Sequence, residues 1–306
     1  MEKRKEINTH DPFLQTSVVL KQLGIGNCDF MLKLENPALE DVDPYSDHLS
    51  KEEIAQIQEE CKTNPWYFLR KVVKVPIEIG DKILCNPIEG LNGAIQQFWV
   101  SLNGVNSWRR SWRQIGKSFD MSALLLWELK YGTISSIGVM GGCLTEAESN
   151  LEKIRSLEDN LPIYLRENTK VTINQIKFEN ATIKTVQAPK SEESIHQLLL
   201  NYDVMWYDDA DLIDYLDVII QEHEKYLKTS KINGATNKIA TDIFTSAVEI
   251  LPDKEIIIGD KELSESAKKV LKDAVPVTFR IFDTDSNSLK LLQKHQNTIL
   301  DIVGLP

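Results

Sequence analysis

The chain has 306 residues, with 35 lysines and arginines against 46 aspartates and glutamates, so its formal charge is −11. This acidic balance excludes a protein that coats DNA through its whole surface, because that mode of binding needs clustered basic side chains. No apolar run approaches the roughly 18 residues of a membrane span, and no signal-peptide apolar stretch follows the charged N-terminus. The composition predicts a soluble intracellular protein with one large domain and an appendage, or with two domains.

The cysteines and histidines show no metal-binding spacing. Four cysteines lie far apart without a Cys-x-x-Cys pair, and five histidines form no spaced cluster. This distribution favours buried free thiols over a zinc site or a disulfide framework.

The N-terminal third predicts helices and irregular segments. Residues 1–50 are typical of an irregular arm, and Ser50 and Glu53 have the spacing of a capping box that begins a helix. A second helix is expected to start at Pro65 and to end before Pro76, followed by a turn-rich link over residues 80–93. A further helical stretch is predicted through Ile95, Phe98, Trp99 and Leu102. Residues 1–105 are therefore predicted to form an N-terminal arm and helical subdomain.

From residue 106 onward, short apolar runs alternate with segments of helical period, which is the pattern of βαβ units around a mostly parallel sheet. The chain is therefore predicted to be an α/β protein whose core spans residues 106–306. Strands are predicted at about 134–140, 171–176, 182–186, 203–207, 239–244 and 255–258, and helices at about 117–131, 145–159, 211–227 and 264–274.

The clearest motif runs from Ser111 to Ser118 and precedes an apolar helix. It has the order of a phosphate-binding P-loop with Ser111 in place of the first glycine. In such a loop the backbone N–H groups cradle phosphates, Lys117 reaches the β and γ oxygens, and the Ser118 hydroxyl ligates Mg²⁺. The alternative is a glycine turn before a helix, with a solvated lysine and a serine cap.

A second motif is the apolar strand 204–207, which ends at two carboxylates, Asp208 and Asp209. As a Walker B strand it would hold Mg²⁺ through Asp208, while Asp209 would orient the attacking water. Residues 107–118 carry four basic side chains and no acid, whereas residues 203–224 carry eight acids and neither lysine nor arginine. The alternative is an ordinary strand followed by an acidic helix start, which the helix dipole favours.

A third segment, residues 239–247, predicts a strand that ends at the adjacent hydroxyls of Thr245 and Ser246. In a nucleotide-driven motor such hydroxyls sense the γ-phosphate from the next strand. An ordinary Ser/Thr turn explains the same residues equally well.

These segments, together with the stretches from Asn64 to Arg70 and from Trp99 to Gly104, resemble in content and order the ATPase domain of large terminase subunits of tailed bacteriophages. The resemblance covers about residues 60–285. It implies a RecA-like (ASCE) P-loop fold, ATP and Mg²⁺ as cofactors, and a motor that drives double-stranded DNA into a procapsid in the host cytoplasm. It also implies portal protein and a small terminase subunit as partners, and a homo-oligomeric ring.

The resemblance assigns roles to individual residues. Arg113 would contact the γ-phosphate in cis, Thr245 and Ser246 would form the coupling motif, and Gln96 or Gln97, of which Gln97 is preferred, would contact adenine. The nucleotide-binding set is then Gln97, Ser111, Gln114, Gly116, Lys117 and Ser118, the catalytic set is Arg113, Lys117 and Asp209, and the metal set is Ser118 and Asp208.

Three features depart from the resembled family. Asp209 stands where the family usually has glutamate. Many relatives also carry an arginine just ahead of the Walker B strand and offer it to a neighbouring subunit, but residues 167–279 contain no arginine, and His196 and Gln197 lie near its place. The relatives also continue into an RNase H-like nuclease domain, so no nuclease activity is expected in this chain and a separate nuclease chain is a possible partner. The sequence thus predicts a terminase ATPase motor, with a degenerate nucleotide or partner binder, or another DNA-translocating ATPase, as alternatives.

Overall fold

The structure is a computed structural model of the chain. It describes residues 21, 36–79, 82–87, 106–112, 117–198, 200–232, 241–248, 265–271, 275–277 and 300–303. In this part of the chain, no helix combines the length and apolar character that a membrane crossing requires.

The N-terminal part combines a capped helix with a β hairpin. Ser50 and Glu53 form the expected capping box, in which each side chain accepts a hydrogen bond from the backbone N–H of the other residue. The elements in chain order are a 3₁₀ turn Pro37–Leu39, helix α1 Lys51–Thr63, a helical turn Pro65–Tyr67, a π-helical segment Phe68–Val72, and the antiparallel strands β1 Lys74–Ile79 and β2 Lys82–Pro87.

The rest of the described chain alternates strands and helices. Its elements are β3 Ser107–Trp112, α2 Lys117–Tyr131, β4 Ser136–Met140, α3 Leu144–Asp159, β5 Lys170–Thr172, β6 Gln175–Lys177, β7 Thr182–Thr185, α4 Glu192–Ile195, β8 Val204–Tyr207, α5 Leu216–Ile232, β9 Thr241–Val248, α6 Glu265–Leu271, β10 Val275–Val277 and β11 Leu300–Val303. Two 3₁₀ turns, Ile163–Leu165 and Ala210–Leu212, lie between them.

Within the described ranges, β3 to β11 form one nine-stranded sheet in the order β10-β11-β3-β9-β8-β4-β7-β6-β5. All neighbours from β10 to β7 are parallel, and β6 and β5 add an antiparallel edge. Strand β9 lies between β3 and β8. The carboxyl ends of β3, β9 and β8 therefore meet at one edge of the sheet, which is where ligands bind in open parallel sheets.

Strand β8 is buried on both faces, which explains why it is apolar without interruption. Along β8, Val204 and Trp206 pack into a hydrophobic cluster with α2 and α3, whereas Met205 and Tyr207 pack into a second cluster with α5 and α6. The strand thus contributes to two cores on opposite faces.

The N-terminal segment packs on the outer side of α2. Residues of α1 and of the Phe68–Val72 segment share one cluster with α2, and Trp127 donates a hydrogen bond through Nε1 to the Cys61 carbonyl at 2.9 Å. Helix α2 is therefore buried over nearly its whole circumference from Met121 to Leu129. The division of the chain at residue 105 stays a prediction, since residues 88–105 lie outside the described ranges.

The predicted α/β fold with a mostly parallel sheet is confirmed. Helix α2 has the predicted bounds, and α3, α6, β4, β7 and β8 match their predicted segments to within a few residues. The helical stretch expected around 95–102 and the strand expected at 255–258 lie outside the described residues.

Other expectations were wrong in detail. The single strand expected at 171–176 is the hairpin β5–β6, because Asn174 makes a turn in which its side chain accepts a hydrogen bond from Thr172 Oγ1. Helix α5 begins at Leu216 rather than at 211, since a 3₁₀ turn and the left-handed Tyr215 precede it. Strand β9 continues to Val248, so Thr245 and Ser246 lie inside it and not at its end.

The sequence interpretation also missed several strands. Strands β1 and β2 form a hairpin over part of the segment expected to be a turn-rich link, and β3, β10 and β11 were not predicted. One thiol also departs from the expected burial: Cys61 is buried, but Cys143 is exposed. Cys143 lies at the N-cap of α3, where a side chain faces solvent more readily than in a strand.

Candidate functional site

The structure brings together two predicted site residues from different elements. Ser118 lies in the first turn of α2, and its Oγ donates a hydrogen bond to Asp208 Oδ2 at 3.1 Å. Asp208 directly follows β8, and its backbone N–H donates to the Met140 carbonyl at 2.9 Å, which extends the β8–β4 pairing by one residue. Asp208 is only 6% exposed, so its position is set mainly by contacts within the protein.

Helix α3 supplies two further side chains to this cluster that sequence reasoning missed. Asn150 is fully buried and donates through Nδ2 to the same Asp208 Oδ2 at 2.7 Å. Lys153, one turn later, donates through Nζ to Asn150 Oδ1 at 2.7 Å. The i,i+3 spacing places both residues on one face of α3, but nothing in the sequence pairs that face with Asp208.

The Lys153 ammonium lies in an acidic environment. Burial lowers the pKa of Lys153, while the negative charges of Asp208, Asp209 and Glu146 oppose that shift. The ring of Phe119, the residue after Ser118, is centred 6.0 Å from Nζ. Lys153 therefore balances part of the negative charge at the end of β8.

Asp209 adopts a left-handed backbone conformation, with φ 46° and ψ 50°. Among residues other than glycine, aspartate and asparagine adopt this conformation most readily, because their short polar side chains bond locally. The Asp209 carbonyl accepts from the Leu212 N–H at 2.8 Å and so begins the following 3₁₀ turn. The local backbone gives a reason for aspartate, rather than glutamate, at this position.

The loop after β4 has two glycines, Gly141 and Gly142, where it approaches the same region. A Cβ at Gly142 would lie 3.3 Å from Leu212 Cβ, and a Cβ at Gly141 would lie 3.0 Å from Glu146 Cβ. Glu146 in turn accepts a hydrogen bond from the Cys143 N–H at 3.2 Å, which caps α3. These close approaches bring the start of α3 against the segment that follows Asp209.

A buried ion pair joins the two elements on either side of the predicted P-loop. Both terminal nitrogens of Arg109, in β3, lie 3.2 Å from Asp120 Oδ2, in α2. Burial raises the pKa of Asp120 to about 7, and the neighbouring guanidinium opposes that rise. The pair therefore connects β3 to the first turn of α2 across residues 113–116.

The remaining predicted residues are placed by the structure only in part. Ser111 lies in β3, Lys117 is the first residue of α2, and Thr245 and Ser246 pair in register with Arg109 and Arg110 of β3. The His196 side chain is largely exposed, with Nδ1 3.3 Å from Glu222 Oε1 of α5. Five of the predicted site residues lie outside the described part of the chain: Gln96, Gln97, Arg113, Gln114 and Gly116.

The chemistry of the Ser118 and Asp208 side chains fits magnesium. A hydroxyl and a carboxylate are hard oxygen ligands, and Mg²⁺ in nucleotide sites usually keeps several waters and uses only one or two carboxylates besides the phosphates. Among the described residues, no group of three or more His, Cys, Asp and Glu side chains could hold a metal ion.

The parallel sheet, with β9 between β3 and β8 and a helix that starts directly after the predicted loop, defines a RecA-like α/β domain. The large terminase of bacteriophage HK97 is similar at 14% identity over 78% of this chain and 51% of that chain, with a TM-score of 0.43. The large terminase ATPase domain of a Thermus phage is 15% identical over 48% of this chain and 62% of that chain, with a TM-score of 0.34.

A large terminase from a thermophilic bacteriophage, solved in complex with ADP, is 12% identical over 50% of this chain and 38% of that chain, with a TM-score of 0.32. The chain thus covers less than two thirds of the length of these three structures. No protein-family model matches the sequence, and the comparison with curated proteins gives no match.

Proposed function

We propose that this chain is the ATP-hydrolysing motor domain of a phage terminase and drives double-stranded DNA into a procapsid. The observation that carries the nucleotide site is the contact between Ser118 Oγ and Asp208 Oδ2, 90 residues apart in sequence. In P-loop ATPases, Mg²⁺ is held by a serine or threonine at the start of the helix after the loop and by an acid at the end of another strand. Here that strand is β8, which is separated from β3 by β9 in the sheet.

The proposed chemistry divides among a few residues. Lys117 and Arg113 stabilise the charge on the transferring phosphoryl group, and Asp209 orients the attacking water. Ser118 and Asp208 would hold Mg²⁺, which would neutralise part of the negative charge of the phosphates. Gln97, Ser111, Gln114 and Gly116 complete the proposed nucleotide-binding set.

The specific assignment to DNA packaging rests on the motif order in the sequence. It brings with it double-stranded DNA, portal protein, a small terminase subunit and other copies of this chain in a ring as partners, and it leaves DNA cutting to a nuclease on a different polypeptide segment. A DNA-stimulated ATPase that responds further to portal protein would have the behaviour of a packaging motor.

The test is ATP hydrolysis by wild type and Lys117→Ala, each alone, with double-stranded DNA, and with DNA and portal protein. Lys117→Ala removes the charge that contacts the β and γ phosphates, so turnover or nucleotide affinity is expected to fall more than tenfold. Equal nucleotide affinity and equal turnover in the two proteins would rule out the P-loop assignment.

A second candidate function is nucleotide or partner binding without turnover. Two sequence features favour it: Asp209 in place of glutamate, and the absence of arginine from residues 167–279. Tight Mg²⁺-dependent ATP binding by wild type, lost in Lys117→Ala, together with no hydrolysis under any of the three conditions, would identify this binder in place of the motor.

A further inference from the structure

We propose that Asn150 is a positioning residue that fixes the Asp208 carboxylate for Mg²⁺, and that Lys153 fixes the orientation of the Asn150 amide. The inference rests on the proposed nucleotide site and extends it to helix α3, which the sequence motifs do not include.

Packing alone does not explain an asparagine at position 150. It is fully buried on the inner face of α3, among the apolar side chains of Ala147, Leu151 and Ile154. Asparagine is a weaker helix former than leucine, and a buried amide is costly unless its polar atoms are hydrogen-bonded. The two hydrogen bonds of this side chain, to Asp208 and to Lys153, therefore give the specific reason for an amide at this position.

Lys153 determines which way the amide faces. An ammonium group only donates hydrogen bonds, so the atom 2.7 Å from Lys153 Nζ must be the amide oxygen. The NH₂ group then faces Asp208 Oδ2, to which it donates at 2.7 Å. The ammonium and the carboxylate therefore specify the same orientation of the amide, one by donating to its oxygen and the other by accepting from its NH₂ group.

Asp208 Oδ2 thus accepts hydrogen bonds from two different helices, through Ser118 of α2 and Asn150 of α3. If the Ser118 hydroxyl were to ligate Mg²⁺ in the proposed site, the bond from Asn150 would be the one of these two that still holds the carboxylate. Residues that orient metal ligands in this way typically change metal affinity about 10- to 100-fold when mutated. The positioning role therefore predicts an effect on Mg²⁺ rather than on the nucleotide itself.

The experiment compares wild type, Asn150→Leu and Lys153→Met by equilibrium titration of a fluorescent ATP analogue, with and without Mg²⁺. Asn150→Leu is expected to raise the half-saturating Mg²⁺ concentration roughly 10-fold or more. Its affinity for the analogue without Mg²⁺ is expected to stay close to that of wild type. Lys153→Met, which keeps the apolar stem but loses the ammonium, is expected to shift the Mg²⁺ dependence in the same direction by a smaller factor.

Arg155→Met is the matched control, because Arg155 is an exposed cation on the same helix that pairs only with Asp159 among the described contacts. It is expected to leave the Mg²⁺ dependence unchanged. Thermal unfolding without ligands reports folding, and Lys153→Met tests the proposal on its own if Asn150→Leu fails to fold.

Two results would overturn the inference, and they are distinguishable. A wild-type Mg²⁺ dependence in both Asn150→Leu and Lys153→Met, in proteins that bind the analogue, would refute the positioning role and leave the nucleotide site intact. No Mg²⁺-dependent binding in wild type, with Lys117→Ala indistinguishable from it, would refute the nucleotide site and the positioning role with it.

Discussion

Substitution of Asp209 separates its proposed chemical role from its backbone conformation. Asp209→Asn keeps the size of the side chain and its tolerance of the left-handed region at φ 46°, but it removes the carboxylate. Asp209→Glu keeps the carboxylate and lengthens it by one methylene, but glutamate adopts left-handed backbone less readily. Asp209→Asn should therefore lower kcat and keep stability, whereas Asp209→Glu should lower stability and keep kcat.

The expected magnitudes follow from these two effects. A general base contributes about 10²- to 10⁴-fold to the rate, so Asp209→Asn is expected to lower kcat at least about 100-fold, which corresponds to about 2.7 kcal/mol of activation free energy. Its free energy of unfolding should stay within about 0.5 kcal/mol of wild type. Asp209→Glu is expected to lose about 1 kcal/mol of unfolding free energy, because left-handed backbone is strained for that residue, and to keep or raise kcat.

The assay combines steady-state ATP hydrolysis, with DNA and portal protein present, and urea denaturation of each variant. Asp214→Asn is the matched control, since Asp214 is an exposed carboxylate in the same segment, and both its kcat and its stability are expected to match wild type. If Asp209→Asn turned over ATP at the wild-type rate, the base would have to lie elsewhere, with Asp211 the next candidate.

Three further predictions concern other parts of the molecule. Simultaneous Thr245→Ala and Ser246→Ala substitution should leave ATP affinity near wild type but abolish DNA-dependent turnover, and packaging at the wild-type rate would contradict a coupling role. Asp203→Ala should lower the free energy of unfolding, measured by urea denaturation, by about 3–5 kcal/mol, because Asp203 Oδ2 accepts hydrogen bonds from three donors at 2.7, 2.8 and 3.1 Å. The control Asp159→Ala removes an exposed ion pair and should cost under about 1 kcal/mol, so equal losses would refute the argument from burial. Burial raises the folded-state pKa of Asp120 to about 7 from 3.8, so the stability that its protonated carboxyl contributes is present below pH 3.8 and is lost as the pH rises to about 7. The free energy of unfolding of wild type relative to Asp120→Asn should therefore fall between these pH values, and a constant difference would refute the shift.

The sequence by itself determined the elements whose signals are local. The capping residues Ser50 and Glu53 predict the start of α1, and the helical spacing of apolar residues after Lys117 predicts both ends of α2. The apolar run 204–207 predicted β8 because a strand buried on both faces leaves no polar position in its sequence. The order of the candidate site residues along the chain is likewise a property of the sequence alone.

Local patterns failed where tertiary contacts outweigh propensity. Strand β3 is rich in arginine and serine and has no apolar run, yet it lies inside the sheet between β11 and β9, where Arg109 pairs with Asp120 of the next helix. The acidic residues after Asp209 predict a helix from 211, but left-handed residues at Asp209 and Tyr215 delay the start of α5 to Leu216. Neither the ion pair nor the backbone turn has a signature within a short window of sequence.

Only the tertiary structure decided which residues surround Asp208. The sequence predicts that Ser118 and Asp208 share a site, because a P-loop and an acidic strand end each have a recognisable pattern. Asn150 and Lys153 have no such pattern, since a single asparagine and a lysine three residues later are ordinary on any helix. They reach Asp208 because α3 follows β4, the strand that pairs with β8. That neighbourhood is a property of strand order in the sheet, which is set by the packing of the whole domain and not by the residues of either segment.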